Sequence, residues 1–344
     1  MLIKSLSSIG IQGSLLLWLQ NYLTSRSQQV ILDGFSSDPV AVTSGIPQGS
    51  ILGPLLFNIF MNSISTVPLS ANCHLALYAD DILIYKPIDN STDLSTFQND
   101  TQNIINWICD NGLTPNHTKT QLLPFTRSRQ QSPLSISING HTISPCQSVK
   151  YLGVTLTQNL TWSQHIGNIC KSSKKQLGLI HRQLRHAPSK LRHQIYRTTT
   201  LPRLEYCCAV WDPHHQVHKR SLESVQKFAA RIITTDWKAD YPSLCAKLNM
   251  KTLATRRRIQ KLKVCYNIIN NLSCLPSNMF TPHPHPSPRL HHSKPLLSPF
   301  VSTMAHRFSF FIDVIPHWNS LPDSIVSCSS ASSFKHHLHK HFLT

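Results

Sequence analysis

No run of about twenty apolar residues occurs in this 344-residue chain, so no segment reads as a membrane-spanning helix. The N-terminus has no secretory pattern either. Ser7, Ser8, Gly10, Gln12 and Gly13 interrupt the apolar residues ahead of Leu15-Leu16-Leu17-Trp18-Leu19, and no small-residue cleavage site follows. Ten cysteines contain no Cys-x-x-Cys pair and form no disulfide framework in a chain this long, so reduced thiols in an intracellular setting, nucleus and/or cytoplasm and not secreted, are expected. The sequons at Asn90 and Asn159 are then accidental. Acid is scarce as well: 15 Asp and Glu stand against 33 Lys and Arg, for a formal charge of +18, and none precedes Asp33. That balance fits a polyanionic partner, either nucleic acid or an acidic membrane surface.

The distribution of charge says more than its total. Residues 1–125 hold four Lys or Arg (Lys4, Arg26, Lys86, Lys119) against eight Asp, a balance of −4, while the remainder holds 29 basic against seven acidic residues, +22. An acidic part with a candidate metal site, joined to a basic part, suits nucleic-acid chemistry: cations bound in one place, phosphates gripped in the other.

The candidate metal site lies in His74-Leu75-Ala76-Leu77-Tyr78-Ala79-Asp80-Asp81-Ile82-Leu83-Ile84-Tyr85. Two adjacent carboxylates sit between two apolar runs, which predicts strand, tight turn, strand with the acids at the turn. Adjacent acids repel and flanking apolar residues are expected to desolvate them. A divalent cation removes that conflict, and magnesium favours few carboxylates completed by substrate phosphates. The alternative is a pair of solvated turn residues, since Asp is a common turn former.

Residues 2–23 carry helical spacing broken near Gly10 and Gly13, and Asp33-Gly34 marks a hairpin turn. Next comes Gly45-Ile46-Pro47-Gln48-Gly49-Ser50-Ile51-Leu52-Gly53-Pro54. Gly45 and Gly49 allow backbone to approach a large ligand, and Gly53 is placed to cap a helix whose first residue is Pro54. An amphipathic helix is expected over Thr92–Asn111, then a loop holding the isolated Lys119 and a strand from Gln121 to Phe125. Residues 127–150 read as a hairpin turning at Asn139-Gly140. From Thr161 the period becomes helical, with Lys171, Lys174 and Lys175 off the apolar stripe and further helices at Ser189–Leu204, Leu222–Thr235 and Arg256–Asn271. Cys207 and Cys208, beside His214, His215 and His218, read as an apolar strand end and a polar loop in preference to a zinc site. Pro276 to Pro299 holds seven prolines and reads as an extended linker. A basic helix around Phe334–Phe342 ends the tail.

The glutamine block and Tyr78-Ala79-Asp80-Asp81, in that order and about thirty-five residues apart, resemble the palm motifs of reverse transcriptases from non-LTR, LINE-like (jockey-like) retrotransposons. Lys119 matches that family's following lysine motif, and Lys150-Tyr151-Leu152-Gly153-Val154 its primer grip. Pro202-Arg203-Leu204-Glu205-Tyr206, Trp211-Asp212-Pro213 and Val225-Gln226-Lys227-Phe228-Ala229-Ala230-Arg231 resemble recurrent wording of the same proteins, and the Gly53-Pro54 ending of the glutamine block with Trp211-Asp212-Pro213 resembles them more than group II intron maturases or telomerase. Where the family has Asn-Asp after the glutamine block, this chain has Asn62-Ser63.

The resemblance implies an α+β fold: a partial right-hand polymerase palm, antiparallel sheet with helices, followed by a helical, basic thumb and C-terminal region. It assigns 1–125 to the palm, 126–160 to the end of the palm and the primer grip, 161–275 to thumb and connection, 276–299 to the linker and 300–344 to the tail. It implies two magnesium ions held by Asp80, the principal ligand, and Asp81. Lys119 serves the nucleotide phosphates, and the turn faces Gln48 and Lys119 across a groove. Pro47, Gln48 and Gly49, with Tyr78 and Ala79, meet template or substrate. Tyr151, Leu152 and Gly153 hold the primer end, and Lys171, Lys174, Lys175, Arg256, Arg257 and Arg258 take nucleic-acid backbone. Partners would be an RNA template, a DNA primer and deoxynucleotide triphosphates, with no membrane. The family also carries a Phe-x-Asp motif before the helix that opens this chain, so the chain is expected to lack the first catalytic Asp and to be inactive by itself. The alternative function is a non-catalytic nucleic-acid-binding remnant of such an element.

Overall fold

The computed structural model describes residues 1–126, 134–284 and 292–342. Two compact units divide the chain. The first comprises Met1–Leu122 and the described part of Gln130–Pro145; the second comprises the described parts of Leu123–Arg129 and Cys146–Thr344.

In the first unit the chain opens as two helices, Leu2–Ser8 and Gly13–Leu23, broken where Gly10 and Gly13 take positive φ. A ribbon follows, with Arg26–Gln28 pairing Val40–Val42. Within it Ile31–Leu32 pairs Phe35–Ser36 across Asp33-Gly34. Both turn residues have positive φ (+49° and +85°), the pattern of a type I′ turn, which Asp-Gly accepts at little cost. The Gly53–Asn62 helix packs Leu56 against Leu6 and Leu19. The larger core of this unit forms around Ser91–Asp110, a helix capped by the Asn90 side chain, which accepts the Asp93 N–H at 2.9 Å. Its stripe Phe97, Ile104, Ile105 and Ile108 meets Ile64, Leu122 and the Ile136–Ile138/His141–Ile143 hairpin. Each such buried Ile contributes about 1.5–3 kcal/mol relative to exposure. Gln98 completes the edge of that hairpin, donating to Ser137 O and accepting Ser137 N–H, both at 2.7 Å. The 127–133 part of the expected hairpin lies outside the described residues.

The second unit begins with a hairpin, Ser148–Tyr151 paired to Val154–Thr157, and is otherwise helical among the described residues. Ser163–Gln183 lies against Gln216–Thr234, and the core there gathers Ile166, Leu177, Leu204, Trp211, Leu222 and Val225. Leu253–Ile269 carries on into a further core with Phe310–Asn319 and Ala331–His341, centred on Tyr266, Trp318 and Phe334.

Mixed helix and small antiparallel sheet is the expected class, but three expectations need correction. Among the described residues the strands form five separate two-stranded ribbons, not one palm sheet. Cys208–Trp211 is a short helix entered through a left-handed Cys207 (φ +52°), not a strand end. The described ends of the Pro276–Pro299 stretch are packed, not a free linker: Phe280 and Leu296 are buried, Pro282 bridges Leu296, and the Asn319 side chain bonds both the N–H and the carbonyl of Leu296. A side-chain amide supplies there the pairing that the neighbouring prolines cannot. Residues 285–291 of that stretch lie outside the described residues.

Candidate functional site

The carboxylate turn is a five-pair hairpin, His74–Tyr78 against Asp81–Tyr85. Its register pairs Leu75 with Ile84, Leu77 with Ile82 and Tyr78 with Asp81. Side chains alternate faces along a strand. Leu75, Ile82 and Ile84 pack on the core around Ile104, so Tyr78 and Asp81 share the opposite face with His74 and Tyr85, whose rings stack at 5.0 Å. Ala79 sits first in the two-residue turn with φ +52°, and no positive φ follows at Asp80. This is the sign pattern of a type II′ turn, which matches strand twist. Both Asp80 and Asp81 are exposed. The expected desolvation by flanking apolar residues is therefore corrected: those side chains turn into the core and leave the acids in solvent.

The glutamine loop is organised by Ser50. Its hydroxyl donates to Pro47 O at 2.7 Å and accepts the Gly53 N–H at 3.0 Å, satisfying one of the orphan donors of the Gly53–Asn62 helix. Gly53 is the first helical residue, not a preceding cap. A Cβ there would sit 2.9 Å from Pro47 O, so the loop's return over the helix start excludes a side chain. Gly45 and Gly49 answer a different need, positive φ (+86° and +79°) in open space. Gln48 and Gly49 are exposed and Pro47 half-buried. Lys119 is exposed in a turn built by Asn116, whose Oδ1 accepts the N–H groups of Thr118 and Lys119. The expected Gln121–Phe125 strand reduces to one bridge, Leu122 to Pro145. Asp80, Asp81, Gln48 and Lys119 thus all lie on the surface of the first unit. Among the described residues no hydrogen bond or ion pair joins the two acids to Gln48 or Lys119, and no group of three His, Cys, Asp or Glu forms a metal cluster.

In the second unit Tyr151-Leu152-Gly153-Val154 is a tight turn with φ +43° at Leu152 and +82° at Gly153. The Tyr206 hydroxyl donates to Leu152 O at 3.0 Å. Lys171, Lys174 and Lys175 are exposed on Ser163–Gln183, opposite buried Ile166, Cys170 and Leu177. The Arg256-Arg257-Arg258 run divides. Arg256 is ion-paired with Glu205. Arg257 is 1% exposed and donates through Nε to Asp212 at 2.7 Å. Only Arg258 is exposed, its guanidinium 5.9 Å from the Phe342 ring centroid. Arg256 and Arg257 each meet a carboxylate of the same unit, Glu205 and Asp212, while the Nη1 of Arg257 is left without a hydrogen-bond partner.

The network they join was not found by sequence reasoning. Lys261, buried, bridges Asp212 and Asp313. Burial opposes charge on Asp212 and on Lys261, yet Lys261 and Arg257 hold the Asp212 carboxyl below its usual range, and Asp212 with Asp313 holds the Lys261 ammonium above its own. The available signal was spacing: Leu253, Arg257 and Lys261 recur at four-residue intervals, which puts the two cations on the apolar stripe of a helix. In the first unit Asp100 was missed likewise. It is buried and accepts the Ser70 N–H at 2.9 Å, and burial, which opposes ionisation, is outweighed there by bonds from Ser70.

The reverse transcriptase (RNA-dependent DNA polymerase) family matches residues 1–156. The chain is 27% identical over 243 residues to the probable RNA-directed DNA polymerase from transposon X-element of Drosophila melanogaster, covering 68% of this chain and 26% of that protein. It is 28% identical over 238 residues to the RNA-directed DNA polymerase from mobile element jockey of the same fly, covering 65% and 25%. A third likeness, 25% identical over 230 residues, is to the probable RNA-directed DNA polymerase from transposon BS, covering 63% and 25%. The chain therefore spans about a quarter of the length of these relatives. No helix among the described residues is long and apolar enough to cross a membrane. The hairpin turn, the glutamine loop and this match agree: residues 1–156 are similar to the reverse transcriptase family, and the chain is similar to the RNA-directed DNA polymerases of the X-element and jockey mobile elements.

Proposed function

We propose that this chain is part of an RNA-directed DNA polymerase of a LINE-like retrotransposon, with the Tyr78–Asp81 turn as its catalytic tip. The observation that carries this reading is the hairpin register: it buries one face and leaves Asp81 and Tyr78 on the other, with Asp80 exposed between the strands. Asp80 is the principal and Asp81 the supporting carboxylate for a divalent cation. Adjacent, exposed, acceptor-only oxygens are the donors magnesium takes when water and substrate phosphates complete its shell. Two bound magnesium ions would stabilise charge on the attacking and leaving oxygens.

In the reaction the primer 3′-hydroxyl oxygen forms a bond to the α-phosphorus of a deoxynucleotide triphosphate. The hydroxyl proton passes to solvent water, the α–β phosphoanhydride bond breaks, and pyrophosphate leaves with the electron pair. Lys119 meets the charge of the departing phosphates. Gln48, presented between Pro47 and Gly49, contacts the templating base or the incoming nucleotide, and Tyr78 and Ala79 shape the turn beside it. Tyr151, Leu152 and Gly153 hold the primer end, while Lys171, Lys174, Lys175 and Arg258 take backbone phosphates of the RNA template and DNA primer.

A second reading, nucleic-acid binding without synthesis, is favoured by one observation: among the described residues only two carboxylates stand at the tip, with no third ligand gathered to them. Primer extension on an RNA template with magnesium separates the two. Synthesis abolished by Asp80→Ala supports the polymerase; salt-sensitive binding of the primed template with no synthesis supports the second reading.

A further inference from the structure

A pocket of about 100 Å³ opens in the second unit beside the Asp212–Lys261–Asp313 ladder, lined also by Lys219, Arg257, Arg258 and His317. Four cations and two carboxylates face it, and the carboxylates are already committed: Asp212 to Arg257 and Lys261, Asp313 to Lys261. Lys219 and Arg258 have no carboxylate within ion-pair distance among the described residues. Arg257 is the telling group. Its side chain is 1% exposed, its Nε is bonded to Asp212, and its Nη1 is buried without any hydrogen-bond partner. A buried guanidinium N–H lacking an acceptor is costly, and in a native protein it calls for a partner. His214, which also lines the pocket, is held flat against the Phe308 ring at 4.3 Å, giving one wall an aromatic backing.

We propose that this pocket binds a phosphate group, with Arg257 Nη1, Arg258 and Lys219 as its donors. The volume accommodates a tetrahedral oxyanion. An arginine fork beside a lysine is the donor set that recognises such oxygens. The surplus of cations over carboxylates supplies the charge; His214 and His317 are shifted below the ordinary histidine range chiefly by burial, with neighbouring cations adding to it. The phosphate has two sources, an internucleotide phosphate of a bound strand or free phosphate. This inference does not rest on the polymerase reading.

The test uses the whole chain. Thermal unfolding is followed in inorganic phosphate and in chloride of matched ionic strength, for the wild type and for Lys219→Ala/Arg258→Ala, which removes the partly or fully exposed donors and spares the buried ladder. A concentration-dependent rise in Tm with phosphate only, weakened about tenfold in midpoint by the double variant, is the expected result. Binding of a single-stranded RNA twelve-mer to the same proteins then assigns the source. If phosphate competes with the RNA and the double variant binds it more weakly than Lys171→Ala/Lys174→Ala does, the occupant is a strand phosphate. If RNA affinity is the same in the two double variants while the phosphate-dependent Tm rise is lost only in Lys219→Ala/Arg258→Ala, it is free phosphate. Equal Tm in phosphate and chloride, or a rise unchanged in the double variant, overturns the proposal.

Discussion

Tyr206 reaches across to the turn before Val154: its hydroxyl bonds Leu152 O at 3.0 Å, and its ring lies 3.2 Å from where a Cβ on Gly153 would stand. The backbone of Tyr206 is itself fixed, since fully buried Trp211 donates its indole N–H to Tyr206 O at 2.7 Å. The turn is thus clamped to the helical core through a tyrosine. Gly153→Ala meets both the positive φ and the ring, so a loss of about 1–3 kcal/mol is expected by chemical denaturation. Tyr206→Phe, which keeps the ring and removes one exposed hydrogen bond, costs about 1 kcal/mol or less. Equal costs for the two would show that the ring contact does not constrain the turn.

Asp212 partners two cations that are 1% and 4% exposed. Asp212→Ala strands Arg257 beside a Lys261 left with Asp313 alone. The expected loss is about 3–5 kcal/mol, the range for breaking a buried ion pair from one side. Arg256→Ala, which removes a side chain that is 30% exposed and strands no buried cation, is expected to cost less. Urea unfolding of both variants orders them.

His165 is 3% exposed and its Nδ1 accepts the Thr155 N–H at 3.2 Å, a bond that requires the unprotonated nitrogen. Burial, helped by nearby Lys150, holds this imidazole below its ordinary 6.5. His193, His214, His317 and His339 are shifted the same way, each chiefly by burial. For a base lowered in the folded state, the unfolded chain takes up protons first. Stability is therefore full above pH 6.5 and falls as pH drops below it towards the folded values. The slope of unfolding free energy against pH in that window should decrease in His165→Gln, which can still accept the Thr155 N–H. An unchanged slope would remove His165 from the account.

Ser50 joins the Pro47 carbonyl to the first N–H of the Gly53–Asn62 helix. Ser50→Ala is expected to lose about 1 kcal/mol of stability, and hydrogen exchange at Gly53 should quicken with it. Retained protection at Gly53 would contradict the capping role.

Much of this was legible in the sequence because local chemistry decided it. Asp33-Gly34 and Asn139-Gly140 place residues tolerant of positive φ at both turn positions, and the structure uses both pairs that way. The Leu75–Ile84 alternation set the hairpin and its buried face. What was not legible depended on distant partners. The Pro276–Pro299 composition reads as a linker, but Asn319 and Trp318 hold Leu296 and Lys294 of its described C-terminal part in place. Three consecutive arginines read as one basic face, but Glu205 and Asp212 claim two of them. Tyr206 carries no pattern at all until Leu152 is brought beside it.

The claim on which the functional account depends is that the tip carboxylates hold a divalent cation. Electron paramagnetic resonance with Mn²⁺ as the probe counts bound ions directly, in the wild type, in Asp80→Ala/Asp81→Ala and in Asp33→Asn as an acidic turn control. The account predicts that binding in the wild type and in Asp33→Asn is alike and that the double variant loses at least one ion. Equal binding in all three proteins would contradict it.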